Sequence, residues 1–374
     1  MVVVDNRYCI DDTSSIISPA LIVFVDLVEQ NIKQMISVAR DVGRLRPHCK
    51  THKMREVAEI GVRLGITKHK AATFAEAEML VAAGVKDVFL AYNLVGPNIG
   101  RAVAFRQKYP DVTFSVTADH PRPIQQLSAA MSAAGETIEV LLDVDTGMNR
   151  TGATVGAQAL ELYGQLAAAQ GLLPGGLHVY DGQNHQRSTD DRRAAVDACW
   201  VPVLEFRDQL RNQGWPVPRI VAGGTGSFPM YAEKEEPTLE LSPGTIIFND
   251  VGYRDAFPDL KFTPATLLLT RVISCPTPTR ITLDLGYKAV SGDQPEGRRL
   301  ELPDLPDARQ VLQNEEHLCV ETERAGDFQP GDELLAIPRH ICPTTALHRQ
   351  VVVVTGGKVT DRWDVVARDR QLTI

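Results

Sequence analysis

The sequence has no hydrophobic run near the ~18 residues that a membrane-spanning helix needs. Its best stretch, residues 20–28, is broken by Asp26. It also lacks a basic block: 47 acidic against 39 basic residues leave a net charge of -8. That balance disfavours nucleic acid and anionic membranes as partners, but not a small anionic ligand, which a few local donors can hold. Cysteine is sparse: the six residues Cys9, Cys49, Cys199, Cys275, Cys319 and Cys342 are scattered over 374 positions with no CxxC pair. Neither a disulfide framework nor a four-cysteine zinc site is expected from that spacing. The opening MVVVDNRYCIDD has no basic n-region and no long apolar core, so an export signal is not expected. These absences predict a cytoplasmic, reduced protein. At 44% hydrophobic and 23% charged, the composition is that of a globular chain.

What is present is a rhythm. Through the first two-thirds, short apolar runs alternate with amphipathic stretches. Residues 20–25, 70–73, 88–92, 112–116, 139–143, 176–180 and 219–222 read as strands, and helical spacing fills the intervals between them. Repeated βα units over ~240 residues predict a parallel sheet closed into a (β/α)8 TIM-type barrel. After about residue 257 the texture turns β-rich, ending in a hairpin at Gly356-Gly357. The expected organisation is α/β: a barrel over 19–257, and a β-rich domain from 1–18 and 258–374.

Five clusters have the residue types for chemistry. Arg46-Pro-His48-Cys49-Lys50-Thr51-His52-Lys53 places lysines among other cations. Crowding and burial would favour the neutral, nucleophilic amine, although a solvated basic loop reads the same way. Strand alternation would put Lys50 on one face with His48 and His52. Asp143-Val-Asp145-Thr-Gly147-Met-Asn-Arg150 ends a strand, where barrel enzymes gather their functional groups, and Arg150 could donate to an anion. Gly223-Gly224-Thr225-Gly226-Ser227 could cradle a phosphate with backbone amides and hydroxyls, or be an ordinary turn. His178-Val-Tyr180-Asp181 ends another strand and could stack on a ring. His340-Ile-Cys342-Pro-Thr344, read as extended, would place imidazole and thiolate on one side for a divalent ion.

In this order and spacing, RPHCKTHK, DVDTGMNRTG, GGTGS and HICPT resemble the fold-type III pyridoxal-phosphate enzymes of the D-threonine aldolase and D-serine dehydratase group, which share the alanine racemase barrel. The resemblance covers residues 19–368. It implies pyridoxal 5'-phosphate held covalently by Lys50, with His48 and Tyr180 as further catalytic residues. It implies Arg150, Tyr180 and Tyr253 beside the cofactor, and Gly224, Thr225, Gly226 and Ser227 around its phosphate. It implies that His340 and Cys342 bind a divalent metal. Cys342 favours zinc, and manganese or magnesium would also suit the family.

The implied activity is a lyase on small D-3-hydroxy amino acids: retro-aldol cleavage to glycine and an aldehyde, or β-elimination to a keto acid and ammonia. Cys342 points toward elimination, while AYNLVGPNIG is closer to aldolase members. The same barrel could also serve a metal-independent racemase or a non-catalytic cofactor carrier, though either would leave His340 and Cys342 idle. By analogy with the family, a homodimer is expected, with its active site near the subunit interface.

Overall fold

The computed structural model describes residues 6–374; the first five residues of the N-terminal stretch lie outside the described residues. The chain forms two compact units.

The first unit comprises Ile36–Lys50, Ala58–Gly244 and Asp369–Ile374. In it, parallel strands Lys68–Ala71, Asp87–Asn93, Thr113–Ala118, Ile138–Asp145, Leu172–Val179, Ile220–Ala222 and Leu239–Leu241 pair in chain order. The segment from Leu45 to His48 closes the ring, because Leu45 bridges Leu241 and His48 bridges Lys70, both in parallel sense. This is the expected barrel, with the 45–48 segment as its eighth stave. Phe89, Leu141 and Val221, fully buried, fill its interior.

Local signals set the helices around it. Thr73 accepts from the Glu76 N–H at 3.2 Å, and the Glu76 carboxylate reaches back to the Ala72 N–H at 2.6 Å, a capping-box arrangement that starts Phe74–Ala82. Ser188 caps Thr189–Asn212 in the same way, and Gly135, with φ at 68°, ends Pro121–Ala134.

The second unit comprises the chain through Met35, Thr51–Val57 and Thr245–Arg368. Its sheet is mostly antiparallel, with Thr266–Thr277 pairing Arg280–Leu283 and Glu333–Pro338. The expected hairpin is present as Gln350–Thr355 and Lys358–Asp364, turned by Gly356 and Gly357 with φ at 55° and 80°.

One strand is not where the rhythm puts it. Ala20–Phe24, expected to open the barrel, pairs instead with Thr266–Thr277 on one side and Gln350–Thr355 on the other. Its run of buried apolar residues suits any strand buried on both faces, so sequence alone does not choose its sheet. The β-rich unit therefore extends back past residue 20, and it resumes at Thr245, ahead of the boundary expected at 257. Among the described residues, no helix is long and apolar enough to cross a membrane.

Candidate active site

Three barrel cations surround one aromatic ring. The Lys50 Nζ lies 5.9 Å from the centroid of Tyr180, the Lys70 Nζ also 5.9 Å, and the Arg150 Cζ 4.7 Å. Different strand ends deliver them. The stave at 45–48 stops at His48, and Cys49–Thr51 turns into a 3-10 helix, so the alternation expected through His52 does not hold. The turn is fixed by the Lys50 N–H donating to His48 Nδ1 at 3.2 Å. Nδ1 of His48, which the resemblance makes a catalytic residue, is thus tied to the Lys50 backbone.

Arg150 follows Ile138–Asp145, and its loop is organised by Asp145. One carboxylate oxygen accepts from the N–H groups of Gly147, Met148 and Asn149 at 2.9 to 3.1 Å. Asn149 then takes φ at 55°, which asparagine tolerates better than most residues, and the guanidinium comes over the Tyr180 ring.

The glycine turn follows Ile220–Ala222 and abuts the same ring. A Cβ on Gly224 would meet Tyr180 Cε2 at 3.1 Å, and one on Gly223, with φ at 79°, would meet Tyr231 at 2.8 Å. Ser227 donates to Asp181 at 2.7 Å and accepts from the Gly224 N–H at 3.1 Å, and Thr225 accepts from the Gly244 N–H at 3.3 Å. The Ser227 hydroxyl is therefore committed to holding the turn in shape.

A buried pair joins two of the clusters read from the sequence. His178 Nδ1 and Asp143 Oδ1 are 2.7 Å apart. Burial pushes the Asp143 carboxyl up, but His178, Thr151 and Arg150 bring it below its ordinary value. Burial pulls His178 down, and Lys70 and Arg150 add to that against Asp143. The pair is thus a neutral imidazole donating from Nδ1 to a carboxylate. Its Nε2 is a buried acceptor with no hydrogen-bond partner among the described residues. Burial, then the charges of Lys50 and Arg150, bring the Lys70 amine down to about 7, against Asp143 and Asp181. This lysine, which the sequence reading did not assign to the site, lies on the short strand Lys68–Ala71.

Lys50, Arg150 and a glycine turn around one ring suit an anionic aromatic ligand such as pyridoxal phosphate. A second buried group, His48, Cys49 and Glu76, brings its ligand atoms within 4.8 Å of one another. Its donors already serve internal bonds, Cys49 donating to the Glu76 carboxylate at 3.7 Å.

In the β-rich unit, His340 and Cys342 do come together, but not on an extended segment. His340 is the extended N-cap of helix Ile341–Leu347, and Cys342 lies in its first turn. His340 Nδ1 is 2.5 Å from Asp293 Oδ2, and Cys342 Sγ is 3.2 Å from Thr51 Oγ1. Burial works against the His340 imidazolium, but Cys342 and Asp293 raise it to about 9. An imidazole oriented by a carboxylate, beside a thiol, fits a metal pair with an outer partner. No sequence motif pointed to Asp293. Tyr253 sits in Val251–Ala256 with its ring 5.7 Å from Phe257. His52 is buried with its Nδ1 bonded to the backbone of Met54, and burial, its largest cause, lowers its pKa to about 3.

Comparison with known proteins gives the family. Residues 23–251 match the model of the alanine racemase N-terminal domain, and residues 265–354 match a serine dehydratase domain model. A D-threonine aldolase of Arthrobacter sp is 31% identical, over 96% of this chain and 94% of its own. A 3-hydroxy-D-aspartate aldolase of Paracoccus denitrificans (strain Pd 1222) is 32% identical over the same shares. A D-threo-3-hydroxyaspartate dehydratase of Delftia sp. (strain HT23) is 26% identical over 88% of this chain and 92% of its own. The crystal structure of D-threonine aldolase from Filomicrobium marinum superposes with a TM-score of 0.88 at 31% identity, covering 95% of this chain and 97% of that one. The chain belongs to the family of D-threonine aldolase and 3-hydroxy-D-aspartate aldolase, pyridoxal-phosphate lyases with an alanine racemase-type barrel.

Proposed function

We propose that this chain cleaves D-3-hydroxy amino acids to glycine and an aldehyde, using pyridoxal phosphate and a divalent metal. The observation that carries this reading is the meeting of Lys50, Arg150 and the glycine turn on the Tyr180 ring. Bound there, the cofactor supplies an electron sink for the carbon that loses its bond. Lys50 would provide the amine that holds it, Arg150 would lie beside its ring, and the 224–227 turn would surround its phosphate. Tyr180 orients the ring, and His48 keeps the Lys50 backbone in place through the 3.2 Å bond. Tyr253 is assigned to the cofactor on the family resemblance alone.

His340 and Cys342 would hold the metal, whose Lewis acidity acts on the substrate's 3-hydroxyl. Cys342 as a soft ligand favours zinc, and it also supports a second reading, elimination to a keto acid and ammonia. We further assign a cytoplasmic homodimer, which light scattering on the purified protein checks for its dimeric part. The deciding experiment supplies D-threonine and D-serine separately, with pyridoxal phosphate and zinc or manganese. Acetaldehyde plus glycine establishes the aldolase, and keto acid plus ammonia the dehydratase. Neither product, with lysine-bound cofactor still visible by absorption, refutes the substrate class. Turnover by Lys50→Ala refutes the assigned lysine.

A further inference from the structure

The proposed function leaves Lys70 without a task. It is 3% exposed, and its Nζ makes no hydrogen bond among the described residues. Its strand neighbour two positions earlier shows what a structural lysine does here: Lys68 pairs with Glu240 at 2.7 Å. A buried ammonium with no such partner is costly, and an apolar side chain would fill the same space without that cost. The charges acting on Lys70 are Lys50 and Arg150, which oppose its ammonium, and Asp143 and Asp181, which favour it. The His48–Lys70 bridge sets its strand beside the stave that leads to Lys50. Both amines thus reach one ring, at 5.9 Å from its centroid, from adjoining strand ends.

We propose that Lys70 is the proton partner of Lys50. By way of one water between the two amines, the neutral Lys70 amine takes a proton from the Lys50 ammonium: one N–H bond breaks at Lys50, one forms at Lys70, and nothing is oxidised. Lys50, as a free amine, would then form its C–N bond to the cofactor's aldehyde carbon, the C=O bond breaking and its oxygen leaving as water. When substrate displaces Lys50, the proton moves back. The inference rests on Lys50 being the cofactor lysine. It also explains why a lysine held near neutrality, rather than a permanently charged arginine, occupies this position.

The test follows binding, not turnover. Protein stripped with hydroxylamine is mixed with pyridoxal phosphate, and the visible band of lysine-bound cofactor is timed between pH 5.5 and 9. In the native chain the rate should rise through a limb near pH 7. In both Lys70→Gln and Lys70→Arg that limb should vanish and the rate at pH 7.5 fall about a hundredfold, the low end for a positioned base. Native rates and profile in Lys70→Arg would show that charge alone suffices and overturn the proposal. Because a buried substitution can disturb folding, the native chain is also labelled with trace acetic anhydride across the same range. Lys70 acetylation should half-titrate near pH 7 and move upward in Lys50→Gln. An ordinary lysine profile near 10.4 overturns the inference. A band that survives Lys50→Ala overturns the cofactor reading itself, and the proposal with it.

Discussion

Replacing Arg46 tests whether the closure of the barrel supports the site. The side chain is fully buried, donates from Nε to Glu240 at 2.5 Å and grips both oxygens of Asp87 at 2.8 Å. It ties the closing stave to strands Asp87–Asn93 and Leu239–Leu241, four residues before Lys50. Arg46→Met leaves Asp87 without either bond, while Glu240 keeps Lys68 at 2.7 Å. Breaking one partner out of a buried ion pair costs about 3–5 kcal/mol. The low end, about 3 kcal/mol, applies here, because the Asp87 side chain stays 21% exposed and Glu240 retains a cation.

That is about a hundredfold in the unfolding equilibrium. Urea titration followed by tryptophan fluorescence reads it, since Trp200 and Trp215 both lie in the barrel unit. The pH dependence has a defined sign. Burial raises the Glu240 carboxyl, but Arg46 and Lys68 bring it below its ordinary value. A depressed carboxylate contributes stability that is full above its unfolded pKa, near 4.3, and is lost as pH falls through the folded value. Arg46→Met should therefore show a shallower loss of stability below about pH 4 than the native chain. Lysine at 46 cannot span both carboxylates and should fall between the two. A loss under about 1 kcal/mol in Arg46→Met, the range of an exposed pair, would refute the assignment of this network to barrel closure.

Four further outcomes are expected. Gly176→Ala should destabilise the barrel by at least about 2 kcal/mol in the same titration, because its Cβ would lie 1.9 Å from the Arg219 carbonyl oxygen at a φ of 103°. Asp145→Ala should free the Arg150 loop from three amide anchors, seen as weaker retention of pyridoxal phosphate on dialysis with the fold intact by circular dichroism. Treatment with a chelator should abolish lyase turnover and a divalent ion restore it, while Cys342→Ala should weaken zinc uptake more than tenfold in competition with a chromogenic chelator.

The βα rhythm made the barrel legible, because strand and helix periods differ and some helices carry their own side-chain cap, as at Thr73 and Ser188. The glycine turn and the RPHCKTHK run were legible as residue types that chemistry requires. Less legible was anything set by a partner distant in the chain. Ala20–Phe24 has the same apolar pattern in either sheet, and only Thr266–Thr277 and Gln350–Thr355 decide its place. The spacing of His340 and Cys342 suits an extended segment, yet a helix starts between them, so their approach depends on a turn of backbone rather than on a pleat.

By itself, then, the sequence determined the alternation that builds a barrel, the family resemblance, and the identity of the groups able to bind an anionic aromatic cofactor. Those are local properties, carried by spacing, capping and side-chain type. Only the tertiary structure decided that Lys50, Lys70 and Arg150 share one ring, that His178 is held neutral over Asp143, and that Asp293 orients His340. Burial and the field of neighbouring charges set how each of these groups titrates, and neither exists until residues far apart in the chain are packed together.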